Sequence, residues 1–206
     1  MQRRGAGIGS TGPIVLASGS TARRKLLAAA GLTVKLEPHG VDERALERSL
    51  SQPTPRRVAA ALAAAKAVAV SRRLPDATVI GADQTLDLDG RTLSKPADRV
   101  AAARQLRALS GRTHTLHAAF AIASGGRVLA RQTRSARLTM RKLSVAEIDA
   151  YLDAAGAAAT ASVGAYQLEG TGIRLFERID GDYFTILGLP MLPLLTTLRK
   201  LGRIAP

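Results

Sequence analysis

Residues 78–90 read TVIGADQTLDLDG. The apolar run from 78 to 82 predicts a buried central strand, and the dipeptide Asp89-Gly90 predicts a hairpin turn. The strand brings Asp83 out of buried surroundings, where a carboxylate needs a partner, and the hairpin returns Lys95 toward it. Asp83 is therefore a candidate general base or metal ligand.

Strand and helix signals alternate on both sides of this stretch. A capping box formed by Ser144 and Glu147 marks the start of one helix, and Gly125-Gly126 marks a second hairpin. Because strands and helices interleave, the predicted fold class is α/β, in its mixed α+β form. Further strands are predicted at 14–18, 34–37, 113–123, 127–140, 173–179 and 183–187, the last two paired around Asp180-Gly181, with helices at 23–30, 53–73, 100–109, 144–154 and 192–201 and a polar loop at 40–43.

The composition limits the classes of protein to consider. The 206 residues suit one large domain or two small lobes, and 30 Lys and Arg against 16 Asp and Glu give a net charge of +14. That balance favours phosphates, nucleic acids or acidic surfaces as partners. The sequence contains no cysteine, which excludes disulfides and thiolate metal sites and fits a reducing compartment. No membrane-spanning run or secretory signal is evident, so we expect a cytoplasmic protein with a flexible tail at 1–12 and one domain at 13–206.

A loop of small residues joins the first predicted strand to the first predicted helix. Residues 17–22 read ASGSTA, and two arginines follow. Backbone N–H groups at a helix N-terminus bind anions well, and Ser18, Ser20 and Arg23 add donors and positive charge. The loop therefore fits an anion site and, equally, an ordinary capped helix with solvated arginines.

Carboxylates from two separate loops form a second candidate site. Asp42 and Glu43 could converge with Asp83 on a divalent cation beside phosphates, and Lys95 is a natural ligand for a phosphate oxygen. The alternative is that the carboxylates are solvated and that Lys95-Pro96 is a plain turn. The glycine-rich stretch 162–172 suits either close approach to a flat ligand or a simple connection.

Two other patterns do not predict sites. Gly7, Gly9 and Gly12 match the spacing of a dinucleotide-binding fingerprint, but they precede a strand instead of following one. His114 and His117 are three positions apart on a predicted strand, so they face opposite sides and cannot share a metal ion.

Taken in order and spacing, the motifs resemble the Maf family of nucleoside triphosphate pyrophosphatases. The resemblance extends over nearly the whole chain from residue 14 to about residue 202. Eight segments in register make it highly specific. They are 16–27, 41–43, 64–66, 81–84, 95–96, 106–113, 163–172 and 176–190.

The resemblance implies a cytoplasmic enzyme that hydrolyses nucleoside triphosphates to the monophosphate and pyrophosphate. It implies a Maf/ITPase-like fold, an elongated mixed sheet flanked by helices with two lobes and a central cleft, often in a homodimer. It also implies a divalent metal, Mg²⁺ or Mn²⁺, held by Glu43 and Asp83. By motif position Asp83 is the proton acceptor, and the residues that handle phosphate are Ser18, Ser20, Arg23, Lys66 and Lys95.

Three positions of the resemblance bear on the base of the nucleotide: Ala22, Gln84 and Glu169. Gln84 and Glu169 are more similar to the branch that acts on 7-methyl-GTP. The segments Gly164-Ala165-Tyr166 and Gly181-Asp182-Tyr183 are more similar to the dTTP/UTP branch. Thr21-Ala22 and Ala161-Ser162 depart from the residues usual in the family, so the base preference stays open.

Two alternatives come from other classes of protein. The charge of +14 is compatible with a nucleic-acid-binding module, although three Phe and three Tyr give little surface for stacking bases and no recognition helix is evident. A division or septum regulator that acts through protein contacts is the other alternative.

Overall fold

The computed structural model describes residues 12–205, and its framework is one mixed sheet. The tail predicted at 1–12 lies outside the described residues except for Gly12. Within the described range the seven strands are β1 Ile14–Ala17, β2 Lys35–Leu36, β3 Thr78–Leu88, β4 Arg91–Leu93, β5 Thr113–Ser124, β6 Arg127–Met140 and β7 Phe176–Asp180. Their order is β2-β1-β3-β5-β6-β7, with β4 added to β3. β1 runs parallel to β2 and β3, and the other pairs are antiparallel.

Helices cover both faces of the sheet, and most begin at a residue that can cap them. Ser20, Asp42, Thr54, Asp98 and Ser144 each accept a hydrogen bond from a backbone N–H of the first turn. The helices are α1 Thr21–Ala29, α2 Glu43–Ser49, α3 Pro55–Arg73, α4 Arg99–Leu109, α5 Val145–Ala155, α6 Ala158–Ala161, α7 Tyr183–Ile186 and α8 Met191–Lys200, with 3-10 turns at Val163–Ala165 and Thr171–Leu175.

The long helix α3 lies very close to the sheet because the facing residues are small. A Cβ atom on Gly81 of β3 would lie 2.2 Å from the carbonyl oxygen of Ala63 and 2.5 Å from the nitrogen of Ala67. Any larger residue at this position would push the helix off the strand. The buried cluster between them contains Val15, Ala17, Ala59, Ala63, Ala67, Val70, Ala77, Val79, Ala119, Ala121 and Ala123.

Two further clusters complete the core. On the opposite face, α1 and α8 cover the first half of β3 with larger side chains: Leu16, Leu27, Ile80, Phe120, Ile122, Leu194 and Leu198. Beyond the second half of β3, α4 and α5 build the other lobe around Leu86, Leu106, Leu138, Ile148, Leu152 and Tyr166. Both lobes are built on the same sheet, and β3 contributes buried residues to the core of each.

The structure confirms the mixed α/β class and both hairpins, and it corrects four local predictions. β3 does not end at Asp83; it continues to Leu88, because the alternation of apolar and polar residues after Gln84 keeps one face buried. Residues 183–186 form a helix rather than a strand, because Asp182 caps them by accepting from the Thr185 N–H at 2.9 Å. Residues 173–175 belong to a 3-10 turn, and the loop at 40–43 ends in the first residue of α2.

Across residues 12–205, none of the helices combines the length and the apolar character that crossing a bilayer requires.

Candidate active site

Asp83 lies in the middle of β3, and its side chain faces α3. Lys66 of α3 places its Nζ 2.6 Å from Asp83 Oδ1. Asp83 is two positions after Gly81, so both residues face the same side of the sheet. The close approach of α3 at Gly81 is what brings Lys66 within reach of the carboxylate.

Glu43 completes an ion cluster with these two residues. It is the first residue of α2, and its Oε1 lies 2.7 Å from Lys66 Nζ. The side chains of Lys66 and Asp83 are 6% and 11% exposed, whereas that of Glu43 is 46% exposed. One ammonium group therefore lies between two carboxylates, on a path from the buried strand to solvent.

Arg23 is fixed beside this cluster by three hydrogen bonds. Its Nη1 donates to Ser18 Oγ at 3.0 Å and to the Ala82 carbonyl at 2.9 Å, and its Nε donates to the Gly188 carbonyl at 2.9 Å. Ala82 directly precedes Asp83, so the guanidinium adds positive charge next to the carboxylate. Its remaining N–H groups are available for an anion.

Opposing effects act on the proton affinity of Asp83. Burial raises the pKa of the Asp83 carboxyl above its ordinary value, and the positive charges of Lys66 and Arg23 counter this without reversing it. The negative charge of Glu43 raises the pKa further. A carboxylate that binds a proton more tightly than usual is a better general base.

The loop after β1 keeps hydrogen-bond donors available at the start of α1. Ser18 Oγ accepts from the Ser20 N–H at 3.3 Å, and Ser20 Oγ accepts from the Arg23 N–H at 3.4 Å. Within residues 12–205 the N–H groups of Gly19, Thr21 and Ala22 find no acceptor. Ser20 therefore caps the helix, while Arg23 is bound by the protein rather than solvated. The anion site at this loop stays a prediction, which the N–H donors of the first turn support.

Other predicted residues lie further from the carboxylate. Lys95 is exposed, and it makes no hydrogen bond or ion pair with any residue between 12 and 205. The charges that act on Asp83 are those of Lys66, Arg23 and Glu43, so the structure does not bring Lys95 to the cluster. The hairpin returns Lys95 only as far as the short strand β4 and the segment after it, because β3 continues past Asp83.

The three predicted specificity residues lie on three different elements of the fold. Ala22 is in the first turn of α1, and exposed Glu169 lies between the two 3-10 turns, where its charge raises the pKa of Tyr151 after the larger effect of burial. Gln84 alternates with Asp83 and so faces the other side of β3. Its side chain binds the carbonyl groups of Thr185 and Ile186.

Sequence reasoning missed His39 at this site. Its Nε2 lies 3.6 Å from Glu43 Oε1, and its Nδ1 accepts from the Val41 N–H at 3.0 Å. Burial lowers the pKa of His39, and the charge of Lys66 lowers it further. A neutral ring that accepts at Nδ1 carries its proton on Nε2, facing Glu43. No sequence pattern marks this loop histidine, because its partners come from α2 and α3.

A protein-family model for Maf-like proteins matches residues 13–201. The chain belongs to the Maf-like family. The resemblance predicted from the sequence motifs is thereby confirmed.

Named relatives of this Maf-like protein are similar over nearly their whole length. A nucleoside triphosphate pyrophosphatase from Nitrobacter winogradskyi is 58% identical over 91% of this chain and 93% of the relative. A 7-methyl-GTP pyrophosphatase from Mesorhizobium japonicum is 54% identical over 94% of this chain and 98% of the relative. Another protein of that name, from Rhizobium meliloti, is 53% identical over 93% and 97%.

Glu43 and Asp83 are the predicted ligands for a divalent cation in this Maf-like site. No group of three or more His, Asp or Glu side chains suited to a metal is found among residues 12–205. Glu43 and Asp83 nevertheless direct one oxygen each to a single cationic point, the Nζ of Lys66. Mg²⁺ commonly takes only one or two carboxylates and completes its shell with water and substrate phosphates. The residues therefore fit a cation that binds together with a phosphorylated ligand.

Two cavities of the Maf-like chain lie elsewhere. One of about 370 Å³ is bordered by α1 and the residues up to Val34, and one of about 240 Å³ by the end of α5 and by α6. Neither is lined by a predicted site residue. The candidate site is therefore identified by the chemistry of its side chains.

Proposed function

We propose that this Maf-like protein is a nucleoside triphosphate pyrophosphatase, which cleaves the bond between the α- and β-phosphates and releases the monophosphate and pyrophosphate. The observation that supports this best is a buried carboxylate, Asp83, held beside Lys66 and Arg23 at the first loop. The names of its relatives agree with such an activity.

Asp83 is the proposed general base. Water attacks the α-phosphorus, its proton passes to an oxygen of the Asp83 carboxylate, and the pyrophosphate oxygen departs with the electrons of the broken bond. The raised pKa of Asp83 supports this role, because the carboxylate binds the proton more tightly than an exposed aspartate would. Lys66 holds one carboxylate oxygen at 2.6 Å and leaves the other for the water.

Cations and N–H groups of the chain offset the charge of the triphosphate. Arg23 binds Ser18 of the first loop, Lys66 binds Asp83, and the N–H groups of the first turn of α1 follow the cap Ser20. Arg23 is held by the protein through Nε and Nη1, so Nη2 is the group that would donate to a phosphate. Lys95 remains a predicted phosphate ligand, and in this role it would have to approach from outside the cluster.

Glu43 and Asp83 would hold the divalent metal, Mg²⁺ or Mn²⁺. Such an ion, when bound, neutralises phosphate oxygens and assists the departure of pyrophosphate. Glu43 is well placed to meet it because its side chain is partly exposed. Lys66, whose Nζ lies 2.7 Å from Glu43 Oε1, would bind a phosphate oxygen in place of that carboxylate.

For the base of the nucleotide, we propose 7-methyl-GTP as the first candidate and dTTP or UTP as the alternative. Methylation at N7 leaves a positive charge on guanine, and Glu169 supplies an exposed carboxylate that would complement it. Two relatives bear the name 7-methyl-GTP pyrophosphatase. One catalytic domain at 13–206, a homodimer and a cytoplasmic location remain part of the prediction.

A nucleotide panel tests the proposal. The purified protein is incubated with Mg²⁺ or Mn²⁺ and with 7-methyl-GTP, dTTP, UTP or CTP, and pyrophosphate and orthophosphate are measured separately. We expect pyrophosphate and monophosphate in equal amounts from at least one nucleotide, without orthophosphate. Release of orthophosphate, or no turnover of any nucleotide, would contradict the proposal. A salt-dependent gel shift without hydrolysis would support the nucleic-acid-binding alternative.

The position of attack is tested by running the reaction in ¹⁸O-labelled water. Attack on the α-phosphorus places the label in the monophosphate, and attack on the β-phosphorus places it in pyrophosphate. Mass spectrometry of the two products distinguishes these outcomes, and only the first agrees with the proposal.

A further inference from the structure

A second group of chemically reactive side chains lies beside the first turn of α3. His117 of β5 pairs in register with Ser135 of β6, and its Nδ1 lies 2.8 Å from Ser135 Oγ. On the other side of the ring, Nε2 lies 3.4 Å from Asp87 Oδ2 of β3. A carboxylate, an imidazole and a hydroxyl are therefore hydrogen-bonded in series across three neighbouring strands, and we call them the Asp87–His117–Ser135 series.

This series is separate from the ion cluster around Asp83. Asp87 follows Asp83 by four positions on β3 and faces the same side of the sheet, which places it about 13 Å further along the strand. The contacts with α3 differ as well, because Asp83 meets Lys66 in the middle of the helix, whereas Ser135 meets Arg56 of its first turn. The proposed pyrophosphatase mechanism uses none of the three side chains of the series.

The protonation of His117 decides the direction of these hydrogen bonds. Burial lowers the pKa of its imidazole and the charge of Arg56 acts in the same direction, whereas the hydrogen bond and the charge of Asp87 oppose them. The ring is therefore neutral near pH 7. Since a carboxylate only accepts, Nε2 carries its proton toward Asp87, and Nδ1 is left to accept the hydroxyl proton of Ser135. His117 is thus positioned to act as a base toward that hydroxyl.

Both ends of the series are held in place by other groups. Asp87 Oδ1 accepts from the Gly90 N–H at 2.7 Å, so the hairpin fixes the carboxylate. Arg56 Nη1 donates to Ser135 Oγ at 2.9 Å, and its Nη2 donates to the Thr133 carbonyl at 3.1 Å. A guanidinium at this position would stabilise negative charge on the serine oxygen and on an oxyanion formed next to it.

The surroundings of the hydroxyl indicate what kind of ligand it could meet. Ser135 and Arg137 are exposed on the same face of β6. Arg137 takes part in no ion pair with any residue between 12 and 205, so its charge is available to a ligand. The neighbouring side chains of Thr133 and Thr115 are small and polar, which suits a short acyl group better than a long apolar chain.

We propose that Ser135 is a nucleophile activated by His117 and Asp87, and that this second site cleaves short-chain carboxylic esters that carry a negative charge. The Ser135 oxygen attacks the ester carbonyl carbon while its proton passes to His117 Nδ1, and the alcohol departs with the electrons of the broken C–O bond and with that proton. Water then attacks the acyl-serine and gives a proton to His117, from which the released Ser135 oxygen takes it back. Arg137 binds the charged end of the ester. The inference goes beyond the proposed pyrophosphatase function and does not depend on it.

Hydrolysis of mono-4-nitrophenyl glutarate by the full chain tests this inference, with 4-nitrophenyl acetate as the neutral comparison. S135A and H117Q should each lower kcat/KM for the glutarate ester about a hundredfold. S124A is the matched control and should leave it unchanged, because Ser124 donates to the Pro75 carbonyl and has no histidine partner. Peptide mass spectrometry after an acid quench should find the glutaryl group on Ser135.

Two arginine variants test the preference for a charged ester. R137Q should lower kcat/KM for the glutarate ester about tenfold and leave that for the acetate ester unchanged. R134Q is its matched control, because Arg134 faces the opposite side of β6 and should affect neither ester. Equal losses for both esters in R137Q, or the same selective loss in R134Q, would overturn the proposed substrate class.

Three outcomes would overturn the proposed nucleophile. They are ester hydrolysis by S135A at the wild-type rate, hydrolysis by H117Q at the wild-type rate, and a glutaryl group found only on other residues. If H117Q does not fold, D87N preserves the size of the carboxylate and should still lower kcat/KM for the glutarate ester about tenfold.

The ester assay and the pyrophosphate assay are separate measurements, so the two proposals can fail separately. A protein that cleaves the ester through Ser135 and releases no pyrophosphate supports this inference and counts against the proposed function alone. A protein that releases pyrophosphate and does not cleave the ester overturns this inference alone.

Discussion

The chain buries two polar clusters on neighbouring strands, and it stabilises them in opposite ways. In the first, Asp83 and Lys66 form an ion pair at 2.6 Å on the face of β3 under α3. In the second, His114 of β5 shares a 2.7 Å hydrogen bond with Tyr166 in the other lobe. Burial lowers the pKa of His114 to about 4 and raises that of Tyr166, so both groups are neutral near pH 7.

The difference distinguishes the candidate site from a cluster that packs the second lobe. Charges held in place near solvent-exposed Glu43 can bind ions and accept protons. The second cluster packs Tyr166 edge-on against Phe176 at 4.7 Å, and His114 Nδ1 is buried without a partner among residues 12–205. Protonating that nitrogen would create a buried charge with no acceptor, so this cluster serves the packing of the second lobe.

The largest expected effect on stability comes from breaking the ion pair on one side. Lys66→Met leaves the buried Asp83 carboxylate without its closest cation, and we expect a loss of about 3–5 kcal/mol in the free energy of unfolding. Adding Asp83→Asn removes the uncompensated charge and should restore a large part of the lost stability. Urea unfolding at pH 8 measures the free energy of unfolding of the single and the double variant. Equal stability of Lys66→Met and wild type would show that the pair does not stabilise the fold.

A smaller effect, dependent on pH, is expected in the second lobe. The unfolded imidazole of His114 takes up a proton near pH 6.5, whereas the buried one does so near pH 4, so acid favours unfolding between these values. This difference in the pKa of His114 corresponds to about 3 kcal/mol in the free energy of unfolding. The contribution is present above pH 6.5 and is lost as the pH falls toward 4. Urea unfolding of wild type and His114→Gln at pH 7.5, 5.5 and 4 measures it. Identical losses in both proteins would contradict the assignment.

The smallest expected effect compares helix caps in the two lobes. Ser20→Ala and Ser144→Ala each remove an N-cap, and each should lower the free energy of unfolding by about 1 kcal/mol. Only Ser20→Ala should also raise the KM for a nucleotide, because Ser20 lies in the proposed phosphate loop. Thermal unfolding and steady-state kinetics of the two variants test this prediction. An equal rise in KM for both variants would contradict a role of Ser20 in phosphate binding.

Much of the fold could be predicted because its signals are local. The hairpins at Asp89-Gly90 and Gly125-Gly126 have positive φ at each of these residues, as such turns require. The capping box at Ser144 begins α5 as expected. The segment 183–187 was predicted wrongly as a strand, because its aromatic and apolar residues suit a strand while the capping hydrogen bonds of Asp182 favour a helix. The start of α2 was missed although Asp42 precedes good helix formers.

The candidate site was predictable in its residue types and less so in its geometry. Strand and loop motifs identified Asp83 and Arg23 without showing that Arg23 would be held by Gly188, which is 165 positions away. The ion cluster depends on the close packing of α3 at Gly81, a tertiary contact that no local pattern encodes. The sequence predicts Lys95 near Asp83, because the apolar run predicts a strand that ends there. Lys95 is absent from the charges that act on Asp83 because the strand is longer.

The role of Asp83 as proton acceptor is the central claim, and the pyrophosphate release of Asp83→Asn tests it most directly. The variant keeps the size of the side chain and its contact with Lys66 but loses the base. We expect a circular dichroism spectrum like that of wild type and a rate of pyrophosphate release lower by about a hundredfold or more with the best nucleotide of the panel. A folded variant that releases pyrophosphate at a rate near wild type would contradict the account.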